Sequence, residues 1–286
     1  MKLERIVTLA NKNTRLRFLA MERSLRKTGC ELPLWVIPYD NNRFDLPENS
    51  IWWEIPEVLS WLDIHNAHRM MRKYQCLLID NYQFVDSDVV FLINPQTALL
   101  SYQGFITSCG HWHNTAGTTS SESEQFLYNK TTLWPKYVFN AGQFACDKIL
   151  YDLKTLISVA EDPLNIYTCL NFPYHDQPGL NLLVNKTDVS IVNTLLASNM
   201  ESTWAGDYEN DYEKYWIEET KKPYLIHWAG CRIDINRPID QLFLNYLTKQ
   251  EKEEWNNELN NKKVSIILRI RIRLSKIKKG LKTMIS

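Results

Sequence analysis

Two carboxylates stand one residue apart in Gln83-Phe84-Val85-Asp86-Ser87-Asp88-Val89-Val90-Phe91-Leu92, with apolar, β-prone residues on both sides. Residues two apart in an extended chain point the same way. Like charges on one side of a strand repel unless something positive lies between them, and carboxylate oxygens suit Mg²⁺ and Mn²⁺. Asp86 and Asp88 therefore predict a divalent-cation clamp at the tip of a buried strand, able to hold a diphosphate through its metal. A solvated turn after a strand is the competing reading, because D-x-D is a short pattern.

Three further segments mix small residues with groups that bind polyols, phosphate or metal: Phe139-Asn140-Ala141-Gly142, His175-Asp176-Gln177-Pro178-Gly179-Leu180-Asn181, and Leu225-Ile226-His227-Trp228-Ala229-Gly230. Asn140 offers both a donor and an acceptor, which suits a sugar hydroxyl. Gly142 permits close backbone approach. His227 ends an apolar run and can complete a metal site with Asp86 and Asp88. Each segment has a plainer reading alone: a turn for Asn140-Ala141-Gly142, a helix cap for Asp176, a core or loop histidine for His227. His111-Trp112-His113 reads as loop or acceptor-site residues rather than a metal pair, since i and i+2 histidines need a strand and a third partner.

The elements that must position these groups are legible as alternating patterns. Ile6-Val7-Thr8-Leu9-Ala10 predicts a buried first strand, Asn11-Lys12-Asn13-Thr14 a loop, and Arg15 to Lys27 a helix with Phe18, Leu19, Met21 and Leu25 inward, closed by Thr28-Gly29. Leu34-Trp35-Val36-Ile37 predicts a second strand ending at Pro38-Tyr39-Asp40, so the chain opens as a parallel βαβ unit. Ligands of open α/β sheets sit at the carboxyl ends of such strands. That places Ala10, Asn11, Asp40 and Asp86 around one crevice. Asp63 to Tyr74 reads as a helix, basic toward its end at His68, Arg69, Arg72 and Lys73. Thr115 to Gln125, rich in Ser, Thr and Glu, reads as a lid or surface loop. Trp52, Trp53 and Trp61 read as core or interface aromatics.

Composition bounds the function classes. The chain has 286 residues, enough for one large α/β domain. Lys and Arg number 33 and Asp and Glu 33, so net charge gives no argument for nucleic acid. The six cysteines are scattered with no C-x-x-C, which argues against a zinc knuckle or a thioredoxin-like site. No signal peptide opens Met1-Lys2-Leu3-Glu4-Arg5, and no apolar run approaches the ~18 residues that span a bilayer. The expected setting is cytoplasmic and reducing, with free thiols and with the Asn-Lys-Thr triplets at Asn129 and Asn185 unglycosylated.

In this order the motifs resemble those of the glycogenin-like glycosyltransferases, retaining enzymes of GT-A fold that use a nucleotide-sugar donor and Mn²⁺. Val7-Thr8-Leu9-Ala10-Asn11 resembles the family's first strand and nucleotide loop, Asp86-Ser87-Asp88 its D-x-D, and Asn140-Ala141-Gly142 its N-A-G. Asp176-Gln177-Pro178-Gly179-Leu180-Asn181 resembles its D-Q-x-x-L-N, and His227-Trp228-Ala229-Gly230 the start of its H-x-x-G-x-x-K-P. The resemblance covers roughly residues 5 to 240. It implies a GT-A-like α/β fold over residues 1–261, a mixed, mainly parallel sheet flanked by helices. It also implies Asp86, Asp88 and His227 as ligands of Mn²⁺ (or Mg²⁺), with Asp86 reaching the donor ribose as well. Thr8, Leu9, Ala10 and Asn11 would line the nucleotide pocket, with Ala141, Gly142, Gly230 and Arg232 also contacting the donor. Asn140, Asp176 and Gln177 would hold the donor sugar at the reacting carbon, and Arg69 or Lys73 would face it.

Two departures stand out. The family's lysine after H-x-x-G falls at Ile233, leaving Arg232 or Arg237 as substitutes. Thr14-Arg15 stand where the family's first loop has an aromatic-containing sequence. From Lys262 onward the chain carries nine Lys or Arg and no acid. Ile267, Ile270, Leu274, Ile277, Leu281 and Met284 recur at helical spacing there, which predicts a basic amphipathic helix over 262–286 that lies on an anionic membrane surface or docks on the domain or a second copy. The expected function is metal-dependent transfer of a hexose from a nucleotide diphosphate sugar, a UDP-sugar, to a saccharide, lipid-linked glycan or protein, with retention. The alternatives are a non-catalytic nucleotide-sugar-binding protein and, further off, a metal phosphohydrolase. The partners are then the donor and a glycan or glycolipid acceptor, and a homo-oligomer or attachment to the inner membrane face is compatible with the sequence.

Overall fold

Alternation along the first strand builds a sheet with two dry faces. In β1 (Arg5–Ala10) Val7 and Leu9 join one core cluster, while Ile6 and Ala10 join the other. The computed structural model describes residues 1–173, 176–208, 212–233 and 237–260. After β1, Asn11 caps a short 3₁₀ turn over Lys12–Thr14, its side chain accepting from the Asn13 amide, and Thr14 Oγ1 accepts from the Asn11 amide at 3.0 Å. Helix α1 (Arg15–Lys27) follows with the expected bounds and buries Phe18, Met21 and Leu25, with Leu19 half-buried. Gly29, at φ +78°, takes the left-handed position that ends it.

Strands β2 (Leu34–Pro38) and β3 (Ser50–Trp52) extend the sheet on one side of β1, and β4 (Tyr82–Val85) pairs on the other. Beyond lie β6 (Phe105–Thr107), β7 (Gln143–Cys146) and β8 (Ile191–Asn193), in the order β3-β2-β1-β4-β7-β6-β8. Every neighbouring pair is parallel except the two that β7 makes, which are antiparallel. The fold is the mixed, mainly parallel sheet flanked by helices that the sequence predicts. A separate two-stranded ribbon pairs β5 (Val89–Phe91) with β9 (Leu225–His227), antiparallel. Stacked Phe84, Phe144 and Phe105, with ring centroids 5.0 and 5.4 Å apart, knit β4, β7 and β6 together.

Helices α2 (Pro56–Ile64), α3 (Pro95–Ala98), α4 (Ser121–Lys130), α5 (Leu153–Ala160), α6 (Gln177–Asn185), α7 (Thr194–Ser198) and α8 (Pro238–Leu244) complete the described helices of this unit. Two expectations are corrected. Asp63 to Tyr74 is not one helix: α2 stops at Ile64, Asn66 takes φ 50°, and a new 3₁₀ segment begins at Arg69, capped by the His68 ring on the Met70 amide. A left-handed residue cannot continue a helix. Thr115 to Gln125 is not wholly a loop. Ser120 and Ser123 form a capping box that starts α4 inside it. Trp61 is buried in the core, and Trp52 and Trp53 pack against it from half-buried positions.

Contacts within the chain separate a unit of Met1–Tyr246 from a second that begins at Leu247, in which residues 249–260 are helical. The basic segment 262–286 lies outside the described residues. No described helix is long and apolar enough to cross a membrane. All six cysteines are free thiols.

Candidate functional site

The site forms where the sheet changes direction. Val85 of β4 faces Gln143 of the reversed strand β7, and the ladder runs one step further through the Asp86 amide, which donates to the Gly142 carbonyl at 2.7 Å. That single bond sets Asp86 beside Asn140-Ala141-Gly142. The ribbon does the same for the third ligand. Val89 faces His227, and the Trp228 amide donates to the Asp88 carbonyl at 3.0 Å. Backbone pairing alone therefore gathers three segments remote in sequence onto one point.

There, Asp86, Asp88 and His227 each offer a ligand atom, all within 4.8 Å of one another. His227 Nε2 lies 3.3 Å from Asp88 Oδ1 and 3.8 Å from Asp86 Oδ2. Two oxygens and one imidazole nitrogen suit Mn²⁺ better than Mg²⁺, which prefers oxygen alone. Two features of the cradle fit an ion. His227 Nε2 is buried without a hydrogen-bond partner, which is unusual for a buried polar atom. A Cβ on Gly142 would lie 2.3 Å from the His227 ring and 2.4 Å from Asp86 Oδ2, so only glycine leaves this space open. Burial raises the Asp88 carboxyl, but the His227 ring and the Arg17 guanidinium outweigh it and bring the group down to about 2.

Behind the cluster lies a buried cation. Lys73 is 1% exposed, and its ammonium sits 3.0 Å from Asp86, 3.2 Å from Asp176 and 3.1 Å from the Ala141 carbonyl. Burial opposes its charge, but Asp176 and Asp86 hold it protonated well above the usual lysine range. Asp176 is raised by burial in spite of Lys73. Asp176 occupies the cap position of α6 yet makes no capping bond, because its side chain is turned to Lys73. Helix α6 comes this close through Gly179, where any Cβ would meet the Tyr74 hydroxyl.

Gln177 ties two walls together, accepting from the Ala141 amide at 3.0 Å and donating to the Gly117 carbonyl at 3.0 Å. Asn140 accepts from the Gly142 amide at 2.7 Å. Asn181 brackets Phe139 with two bonds of 2.9 Å, fixing the approach to Asn140. These groups open on a cavity of about 840 Å³. It is also lined by segments carrying His111, His113, Gly117, Trp204, Asp207 and Gly230. Burial, and then the neighbouring His227, hold the His111 ring below the usual histidine range. Among the described residues, His111 and His113 belong to no metal-sized cluster.

The remaining expected residues lie elsewhere. Thr8, Leu9, Ala10 and Asn11 are buried at the end of β1 but do not line this cavity. Asn11 Nδ2 donates to Asp40 at 2.9 Å, and Arg69, 56% exposed, approaches the same carboxylate at 3.4 Å. Of the two cations expected to face the donor, Lys73 is at the carboxylates and Arg69 is at Asp40. Arg232 is exposed and outside the cavity lining, Ile233 is buried, and Arg237 is held on Asp240 at 3.0 Å. Two features went unread in the sequence. Arg17, in the first turn of α1, reaches Asp88 Oδ2 at 3.5 Å, a contact between residues 71 positions apart that no local pattern signals. Trp204 carries no local signal either. It lies beside His227 through a single β-bridge.

No protein-family model matches the chain, and no curated protein matches it in sequence. Solved structures do. The galactosyltransferase LgtC, in complex with donor and acceptor sugar analogs, is similar over 87% of this chain and 99% of its own, with TM-score 0.56 and 14% identity. The apo structure of WbbM, described as a bifunctional glycosyltransferase, is similar over 89% of this chain and 51% of its own, with TM-score 0.54 and 13% identity. The chain thus spans about half of WbbM. At these identities the likeness is one of fold: the GT-A-like architecture is common to all three. The glycogenin-like assignment stays with the motifs.

Proposed function

We propose that this chain is a metal-dependent glycosyltransferase that moves a hexose from a nucleoside diphosphate sugar, a UDP-sugar by the motif resemblance, to a glycan acceptor with retention of configuration. The observation that carries this reading is the Asp86, Asp88 and His227 cluster with its unpartnered buried nitrogen, set against Lys73, Asp176 and Gln177 at the head of one large cavity. A GT-A-like fold around such a cluster suits this chemistry more than hydrolysis of phosphate esters.

A bound Mn²⁺ would supply Lewis-acid neutralisation of a leaving diphosphate. The chain's own residues do the rest. Asp86, Asp88 and His227 hold the ion. Lys73 pairs with Asp86 and Asp176 and fixes them against the Ala141 carbonyl. Asp176, Gln177 and Asn140 present carboxylate and amide groups where the sugar enters, supplying orientation for an oxocarbenium-like transfer. Trp204 offers the acceptor a platform: its indole is 45% exposed, lies on the backbone of Gly206, and is anchored by its N–H on the Ala229 carbonyl at 2.9 Å. A flat ring beside Asp207 suits the apolar face and hydroxyls of a pyranose, which favours a saccharide or glycolipid acceptor over a protein side chain.

The test is a thermal-shift screen of nucleotide sugars with and without Mn²⁺, followed by product analysis by NMR. A donor that stabilises the protein only with metal, and a product of retained anomeric configuration, is expected. Stabilisation independent of metal overturns the assignment. One observation favours a second reading, a nucleotide-sugar-binding protein without turnover: Ile233 stands buried where the resemblance expects a lysine. Donor binding without hydrolysis or transfer to any saccharide of an acceptor panel identifies that case. The composition of segment 262–286 suits either an anionic membrane surface or docking on the domain or a second copy; loss of binding to anionic vesicles on truncation after Asn261 identifies the first, and unchanged binding ends it.

A further inference from the structure

Charge at the site does not balance once a diphosphate arrives. Asp86, Asp88 and Asp176 are offset by Lys73 and, when bound, by one divalent ion. A nucleoside diphosphate then brings at least two further negative charges. Lys73 cannot answer them: its ammonium is already shared between two carboxylates and a carbonyl, and moving it would strand Asp176 in the interior. Arg237 is held by Asp240 at 3.0 Å, and Arg69 lies at Asp40 rather than at any of the three carboxylates. Ile233 is apolar and buried.

Arg17 is placed differently. It projects from the first turn of α1, its side chain is 37% exposed, and its guanidinium reaches Asp88 Oδ2 at 3.5 Å while His227 approaches Oδ1 at 3.3 Å. The two oxygens of one carboxylate thus have different neighbours, Arg17 at Oδ2 and the His227 ring at Oδ1. The link to Arg17 is the longer and more exposed of the two, and ion pairs that long and that wet are weak. A metal ion on Asp88 competes with that link through its own charge. The planar fork of an arginine matches phosphate oxygens, and its charge does not titrate.

We infer that Arg17 is the residue that takes the terminal phosphate of the nucleoside diphosphate, passing from Asp88 to phosphate when the metal occupies the carboxylates. This rests on the diphosphate-donor reading above. It places the cation missing at Ile233 on α1, on the opposite side of the sequence from the segment where the resemblance expects it. The rival role for Arg17 is a plug that merely screens Asp88. The two roles predict opposite signs. A phosphate ligand, when removed, weakens diphosphate binding. A plug, when removed, frees Asp88 and tightens metal binding without weakening diphosphate.

The experiment is calorimetric titration of UDP, GDP, ADP and CDP into the Mn²⁺-loaded full chain. The tightest is carried forward with its monophosphate into Arg17→Gln and Arg17→Lys, and Mn²⁺ is titrated alone. Arg17→Gln is expected to lose about tenfold to a hundredfold in diphosphate affinity, the scale of one charge-assisted contact. Monophosphate affinity should change by less than about threefold. Arg17→Lys should recover part of the loss, and all three proteins should unfold at the same temperature. Unchanged diphosphate affinity in Arg17→Gln, or equal losses for monophosphate and diphosphate, overturns the assignment to the terminal phosphate while leaving the donor reading intact. Absence of metal-dependent binding by the unmodified chain for all four diphosphates overturns both.

Discussion

The two walls of the cavity are built by different means. The carboxylate wall stands on strand ends. Asp86 is fixed by the β4–β7 ladder, His227 by the β5–β9 ribbon, and Lys73 by burial between two acids. The rim is made of turns around His111 to Gly117 and Ser202 to Asp207, the second bridged to His227 and carrying the half-exposed Trp204. Asp86, Asp88 and His227 sit where backbone pairing fixes the chain, at the β4–β7 ladder and the β5–β9 ribbon, while Lys73 is locked by its ion pairs. Groups that choose among partners sit on loops, where substitution disturbs little else. On the function proposed above, metal and diphosphate belong to the first wall and acceptor choice to the second.

Four substitutions or conditions put that division at risk. Asp88→Ala should abolish Mn²⁺-dependent nucleotide binding in calorimetry, and retained binding would mean that the strand-end wall does not hold the metal. Lys73→Met should lower the unfolding free energy by about 3–5 kcal/mol in urea, because it leaves the buried Asp176 and the half-buried Asp86 without their counter-charge. Replacing Asp176 by Leu in the same protein should restore part of it. A Lys73→Met variant as stable as the parent would show that the wall is wetter than its packing implies.

Without metal, pH sharpens the same contrast. The Asp88 carboxyl is held below its ordinary value in the folded protein, so its ionised form stabilises the fold. That contribution is fully present above pH ~4 and disappears as pH falls toward about 2, amounting to about 2 kcal/mol. Asp88→Asn should flatten the stability curve over that window alone. The smallest effect belongs to the rim. Trp204→Ala should raise the KM for a saccharide acceptor about three- to tenfold while donor binding and unfolding temperature stay put. A matching loss in donor binding would dissolve the division between the walls.

The strand-end wall was largely legible in the sequence, and the rim was not. Ile6 to Ala10, Arg15 to Lys27 and Leu34 to Ile37 each carry a period that one local structure satisfies, and all three appear as expected. Asp86 and Asp88 announce themselves because acids are out of place between apolar strands. Asp63 to Tyr74 misled because a helical period spans a stop that depends on one left-handed Asn66. Thr115 to Gln125 misled because its polar surface residues hide the Ser120–Ser123 capping box. Arg17 and Trp204 became visible only through contacts that close over long stretches of chain, Arg17 with Asp88 and Trp204 with the β9 strand.

The β5–β9 ribbon has one more consequence, for the order of events on the ribosome. Asp86 takes its place once β7 has been made and has paired with β4. His227 cannot reach it until β9 has been translated and has zipped against β5. A nascent chain halted before Leu225 therefore carries Asp86 and Asp88 beside Lys73 and Arg17 but without the third candidate ligand. The three-residue cluster closes only when residues about 140 positions apart have met.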